Sequence, residues 1–182
     1  LAGPVLAAAV VLTKAQERTL LGLGLKDSKQ MTPKRREALF LKMRELGVIW
    51  KAQAASVIQI AKLNVSQAAL WAMGRSVCRL SVVPDLIVVD GLHKIPDLSF
   101  AQMPLVAADT LVPAVSAASV VAKVLRDRVM IKLNELYPEY GFCRNKGYPT
   151  KEHQEAVRAF GPSSVHRKAF CKKLMQGRIE LL

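Results

Sequence analysis

The sequence predicts an α/β fold built on a mixed sheet, and three observations carry that expectation. Short β-branched apolar runs closed by turn residues, such as Leu86 to Val89 before Asp90-Gly91, have the pattern of strands covered on both faces. Between them lie segments with apolar residues at helical spacing and explicit start and stop residues. At 182 residues, with hydrophobic side chains at 51% and no internal repeat, the chain has the length for one domain with a sizeable core.

Taken in order, Val5 to Leu12 reads as a buried strand, being short, valine-rich and closed by Thr13-Lys14. A loop containing the apolar run Leu20 to Leu25 follows. Thr32-Pro33 is a helix start, because Thr accepts from the free N–H groups and Pro suits the first helical position. Leu39, Phe40, Met43 and Leu46 then recur at helical spacing until Gly47. Val48 to Val57 alternates like a strand, and a helix from Ser66 to Leu80 would bury Ala69, Leu70, Met73 and Val77. Leu86 to Val89 and the weaker run Pro104 to Ala108 end in Asp90 and Asp109, so two strands are expected to deliver a carboxylate each at the carboxyl end. Pro113 to Leu136 is the longest helical segment, with a small-residue face at Ala114, Ala117, Ala118, Val121 and Ala122 and a Lys123–Asp127 pair one turn apart. After a loop from Tyr140 to Thr150, a helix at Lys151 to Phe160 is capped by Thr150 and stopped at Gly161, and Ser163 to Leu182 reads as a basic helical tail.

Charge decides what kind of partner to expect. There are 27 Lys+Arg against 14 Asp+Glu, a formal net charge of +13, and the commonest cytosolic polyanion is nucleic acid. The apolar stretch Leu1 to Leu12 is broken by Gly3 and Pro4 and falls short of the roughly 20 residues a membrane span needs. It also lacks the basic start and cleavage pattern of a signal peptide. Cys78, Cys143 and Cys171 are odd in number and far apart, which suits reduced thiols in the cytoplasm, and scattered His93, His153 and His166 give a zinc site little support. With no phosphate-binding glycine loop, dinucleotide fingerprint or serine elbow, the field narrows to metal-assisted chemistry on nucleic acid, or binding without chemistry.

Three groups of residues could carry such a function. Asp90 and Asp109, on neighbouring strand ends, could share a hard cation such as Mg²⁺; as Asp-containing turns they would carry no chemistry, and both readings stay open. Lys26-Asp27-Ser28-Lys29 with Lys34-Arg35-Arg36 could hold a phosphate beside a helix start, or form a solvated basic face. Arg144-Asn145-Lys146-Gly147-Tyr148-Pro149-Thr150 sets an aromatic among cations on a glycine-bearing loop, suited to stacking on a base or sugar; the alternative is a tyrosine that packs its own loop.

Several strings, in order, carry a resemblance. They are Leu1-Ala2-Gly3-Pro4-Val5, Asp27-Ser28-Lys29, Val89-Asp90-Gly91, the helix run from Val115-Ser116-Ala117-Ala118-Ser119 to Asp127, Lys146-Gly147-Tyr148-Pro149-Thr150, and His166-Arg167-Lys168-Ala169-Phe170. Together they resemble bacterial type 2 ribonuclease H (ribonuclease HII), from the first residue to about Phe170. The resemblance implies a ribonuclease H-like α/β fold, with residues 1–162 as the catalytic domain and 163–182 as a helical substrate-binding segment. It implies a monomeric endonuclease that hydrolyses the RNA strand of RNA–DNA hybrids and cuts at ribonucleotides embedded in duplex DNA. The implied chemistry uses two Mg²⁺ or Mn²⁺ ions and leaves 5′-phosphate and 3′-hydroxyl ends, so it needs oxygen ligands rather than a nucleophilic side chain. Asp90 and Asp109 match two of the family's four metal-binding carboxylates. Tyr148 matches the tyrosine that stacks near the ribonucleotide junction, Lys29 and Lys146 match nucleic-acid contacts, and Arg167 helps the C-terminal segment grip the duplex. By the same resemblance Asp127 is structural.

The sequence departs from that pattern in three places. The family's Asp-Glu-x-Gly-Arg-Gly segment would precede Leu1 and is not in this sequence; where the family has Lys-Gly-Asp it has Ala107-Ala108-Asp109, and an acidic pair is replaced by Ala61-Lys62. The expectation is therefore a chain truncated at its N-terminus, cleaving with its upstream residues and little without them. The alternatives are a non-catalytic nucleic-acid-binding remnant of the same fold and a basic ribosome-associated protein.

Overall fold

Where the sequence carries a cap or a stop, the backbone follows it. The structure, a computed structural model, describes residues 1–26 and 28–176, apart from the side chains of Lys29, Lys173 and Gln176. In chain order the elements are β1 (Val5–Val11), α1 (Lys14–Gly22), α2 (Pro33–Glu45), β2 (Ile49–Ala55), α3 (Val57–Val77), β3 (Leu86–Asp90), β4 (Ala101–Leu105), α4 (Ala108–Leu111), α5 (Pro113–Leu136), α6 (Phe142–Asn145), α7 (Lys151–Phe160) and α8 (Lys168–Gln176). Helix α2 begins where Thr32 accepts from the Arg35 N–H, and α7 where Thr150 accepts from the His153 N–H.

Four expectations need correction. Helix α1 occupies what read as a loop. Its start is a reciprocal capping box, in which the Thr13 hydroxyl accepts from the Gln16 N–H while the Gln16 side chain accepts from the Thr13 N–H. Helix α3 starts at Val57 rather than Ser66 and is kinked at Asn64, whose φ is 65°. Strand β4 ends at Leu105, so Asp109 is not a strand-end residue but lies in the first turn of α4. The described part of the C-terminal tail is helical from Lys168 to Gln176, and residues 177–182 lie outside the described residues.

The strands form two two-stranded sheets, β1 with β2 and β3 with β4. The β3–β4 pair is parallel, in the register Leu86↔Ala101 to Asp90↔Leu105. Its connection is short for a parallel crossover, and the Gln102 side chain stands in for a missing backbone partner. Gln102 accepts from the Ile95 N–H at 2.7 Å and donates to the Ile95 and Leu98 carbonyls. Pro104 is tolerated within β4 because, among the described residues, that strand pairs on one edge only.

The chain divides into two compact units, interleaved in sequence. The first, here the carboxylate unit, comprises residues 6–54 and 69–125. Leu20, Leu39, Phe40, Met43, Val120 and Val121 form its larger core, with Phe40 tilted against Trp50 at 5.4 Å, and Leu70, Val77, Ile87, Val89 and Ile95 form a second cluster. Removing each such side chain from water contributes about 1.5–3 kcal/mol. The second, here the loop unit, comprises residues 1–5, 55–68 and 126–182; Ala2, Met130, Tyr140, Phe142, Val157 and Cys171 form its core.

Candidate active site and nucleic-acid interface

In the carboxylate unit, Asp90 is the last residue of β3 and its Oδ1 accepts a hydrogen bond from the Ala108 N–H at 3.0 Å. Ala107 precedes that donor in the left-handed region, with φ 56° and ψ 33°, where a residue bearing a Cβ is strained. The turn sets Asp109, only 3% exposed, one residue beyond the group that Asp90 holds. The structure therefore brings the two predicted acidic residues to one small feature, although not by two strand ends.

Beside them a cavity of about 770 Å³ runs along β1 and β3, floored by Val115, Ala118, Ser119 and Ala122 of α5, and Asp90 contributes to its lining. Most of that lining is alanine, valine and leucine, which gives a polyanion nothing to bind. Ser119 is the link to the basic segment: its hydroxyl lies 2.7 Å from that of Ser28, which is 4% exposed. Ser28 begins the short turn that carries Lys29; Asp27 and the Lys29 side chain lie outside the described residues. Arg36, read from the sequence as part of a basic face, is instead buried, and its Nη1 donates to the carbonyls of Ser28 and Met31. Its charge orders the Ser28 turn from within.

The aromatic loop belongs to the loop unit. Asn145 shapes it, donating to the Tyr140 carbonyl and accepting from the Gly147 N–H at 2.8 Å, while the Tyr148 N–H donates to the Asn145 carbonyl. Gly147 has φ 77°, and a Cβ there would stand 2.6 Å from the Ala2 carbonyl oxygen, so glycine is required on two counts. The Lys146 ammonium donates to the Cys143 carbonyl. Tyr148 is half exposed, with the Arg126 guanidinium 5.0 Å from its ring centre. Arg167 donates from Nε to the Gly3 carbonyl at 3.0 Å and from Nη2 to the Pro4 carbonyl at 3.3 Å. Burial, then the neighbouring Arg126 charge, lowers its pKa.

Two histidines that looked scattered in the sequence meet in this unit. His153 and His166 are 0% and 2% exposed, with their Nε2 atoms 3.0 Å apart. They sit among Tyr140, Phe142 and each other's rings. Burial lowers the pKa of both, and the adjacent His153 helps push His166 down to about 4. A separation of 13 residues carries no sequence signal for this contact. Cys78, Cys143 and Cys171 are free thiols, as expected.

The pattern of the ribonuclease HII family matches residues 1–173. The chain belongs to the ribonuclease HII family. It is 42% identical over 179 residues to a ribonuclease HII of Marinomonas sp., covering 97% of this chain and 88% of that protein. It is 45% identical over 146 residues to a ribonuclease HII of Natranaerobius thermophilus, covering 80% and 73% respectively. The crystal structure of ribonuclease H2 from Pyrococcus horikoshii superimposes with a TM-score of 0.78 at 24% identity, covering all of this chain and 93% of that one, which shows a shared fold.

Membership in the ribonuclease HII family makes this a metal-dependent endoribonuclease acting on the RNA strand of RNA–DNA hybrids. Carboxylate oxygens are the right donors for a hard divalent cation. Asp90 and Asp109 carry oxygen donors of that kind, and among the described residues no group of three His, Cys, Asp or Glu side chains is gathered at one place. Among the described residues, too, no helix is long and apolar enough to cross a membrane.

Proposed function

We propose that Asp90 and Asp109 are the carboxylates through which this ribonuclease HII family member holds Mg²⁺ or Mn²⁺, that it cuts both hybrids and single ribonucleotides in duplex DNA, and that it leaves 5′-phosphate and 3′-hydroxyl ends. The observation that carries this reading is the bond from the Ala108 N–H to Asp90 Oδ1. It turns one carboxylate toward the segment that bears the other, and leaves Asp90 Oδ2 with lone pairs for a cation. Bound divalent ions supply charge for the attacking and departing oxygens of the phosphodiester. The protein's part is to hold that charge and to position the strand.

Positioning falls to the second group of residues. Tyr148, half exposed and faced on one side by Arg126, offers a ring for stacking beside the ribonucleotide. Lys29 and Lys146 are read as phosphate contacts, and Arg167 acts by pinning the strand start at Gly3 and Pro4 to the segment that follows His166. The net charge of +13 supplies the long-range attraction to a duplex, and the three free thiols suit the cytoplasm.

Asp90→Asn tests the assignment, because it preserves shape and removes charge. Mn²⁺ affinity, followed by electron paramagnetic resonance, should fall at least tenfold by loss of a ligand oxygen's charge, and metal-dependent cleavage by roughly 10²–10³-fold. Hybrid affinity without metal should stay within about twofold, since uniform phosphate contacts are untouched. Unchanged Mn²⁺ affinity and turnover would remove Asp90 from the site.

A further inference from the structure

The hydrogen bonds around His153 and His166 leave no choice of proton position. The Tyr148 carbonyl can only accept, so His153 must donate to it from Nδ1, at 2.8 Å. A neutral His153 then offers a lone pair at Nε2, and the 3.0 Å contact requires His166 to donate from its own Nε2. That leaves His166 Nδ1 as an acceptor. The Ser163 N–H, which can only donate, meets it at 3.0 Å, and the Ser163 hydroxyl lies at 2.8 Å. The same tautomers thus follow from either end, and every donor points toward Tyr148. A proton added to either ring would set two donors face to face.

We propose that His153 and His166 are positioning residues for Tyr148: a one-directional chain from Ser163 through two neutral imidazoles to the Tyr148 carbonyl holds that residue where its ring meets Arg126 and the ribonucleotide-bearing strand. This rests on the reading of Tyr148 given above. The Tyr148 carbonyl also accepts from the Thr150 N–H at 2.9 Å, and the Tyr148 N–H is taken by the Asn145 carbonyl. The backbone on both sides of the ring is thereby fixed, while the ring itself stays half exposed. Because His166 is followed directly by Arg167, which holds Gly3 and Pro4, the chain also ties the loop to the segment after α7.

Two measurements decide it. Long-range ¹H–¹⁵N correlation of the histidine rings in the full chain should show His153 protonated at Nδ1 and His166 at Nε2; the same tautomer in both rings would overturn the chain. The second uses a short duplex DNA with one ribonucleotide, titrated without divalent metal and followed by fluorescence anisotropy. His166→Gln places an amide N–H near the Nε2 position and should bind within about threefold of the parent, whereas His166→Asn, whose amide reaches only the Nδ1 position, should lose about tenfold, the effect of one buried hydrogen bond. Equal affinities for the two variants would overturn the proposal. In a Tyr148→Ala background the difference between Gln and Asn should vanish. If it persists although Tyr148→Ala itself weakens binding, the positioning role falls alone; if Tyr148→Ala binds as tightly as the parent, the reading of Tyr148 falls and the role with it.

Discussion

The carboxylate unit and the loop unit keep their shape by different physics. In the first, Leu20, Leu39, Phe40, Met43, Val120 and Val121 fill space, and the stabilisation is proportional to apolar area and indifferent to direction. In the second, Tyr140 stacks on Phe142 at 5.5 Å and the two histidines, Ser163 and Asn145 join by bonds that tolerate little displacement. The difference matches what each unit has to present. Two acidic residues beside an apolar wall need only a rigid wall and a turn, even a strained one at Ala107. The half-exposed Tyr148 ring stands on a backbone held atom by atom, by the Asn145 carbonyl on one side and the Thr150 N–H and His153 on the other.

The largest expected effect probes the space-filled side. Phe40→Ala should cost about 3–5 kcal/mol in urea unfolding, because a buried ring and its contact with Trp50 vanish together. A loss under about 1 kcal/mol would mean that this core is loosely packed and that the contrast fails. Next, Gly147→Ala should cost about 1–3 kcal/mol, as a Cβ at φ 77° is forced onto the Ala2 carbonyl. It should also weaken binding to a hybrid, which Phe40→Ala should not do once folded protein is compared with folded protein.

Acid sharpens the comparison further. His166 is pushed down to about 4 in the fold against an ordinary 6.5, with burial the first cause and His153 the second; Glu152 and Tyr140 are the other titratable neighbours of the pair. Between those values the unfolded chain binds the extra proton, so this contribution to stability is complete above about pH 6.5 and declines as pH falls toward 4. Urea unfolding from pH 7 to 4 should show the decline in the parent and a shallower one in His166→Gln. The smallest effect has the opposite sign: Ala107→Gly should stabilise the chain by about 1 kcal/mol by relieving the left-handed strain before Asp109. No gain would show that the turn at Asp90 and Asp109 carries no strain.

Local signals account for what was legible. The sequence sets helix α5 at its observed bounds because Pro113 and Pro138 bracket it, and α7 because Thr150 and Gly161 do; these cues act within one helical turn of the residues they order. Helix α1 carries a cue too, in Thr13-x-x-Gln16, but Lys14 to Thr19 is almost wholly polar and Leu20 is its buried residue, so no apolar stripe marks it as a helix. The apolar runs before Asp90 and Asp109 suggest two strand ends, whereas the structure links the two residues by a bond from the Ala108 N–H and a turn beyond β4. Arg36 shows the same limit, since a cation in a basic run gives no sign that two carbonyls will enclose it.

From its residues alone the chain declared its class, the net positive charge that favours a polyanion, the two acidic residues and the aromatic loop, because each depends on composition or on neighbours a few positions apart. Tertiary structure alone decided which cations face inward, that Asp109 lies in a helical turn, and that His153 and His166 touch. Those contacts join residues far apart in sequence, and they exist only after packing has excluded water from the groups that then need one another.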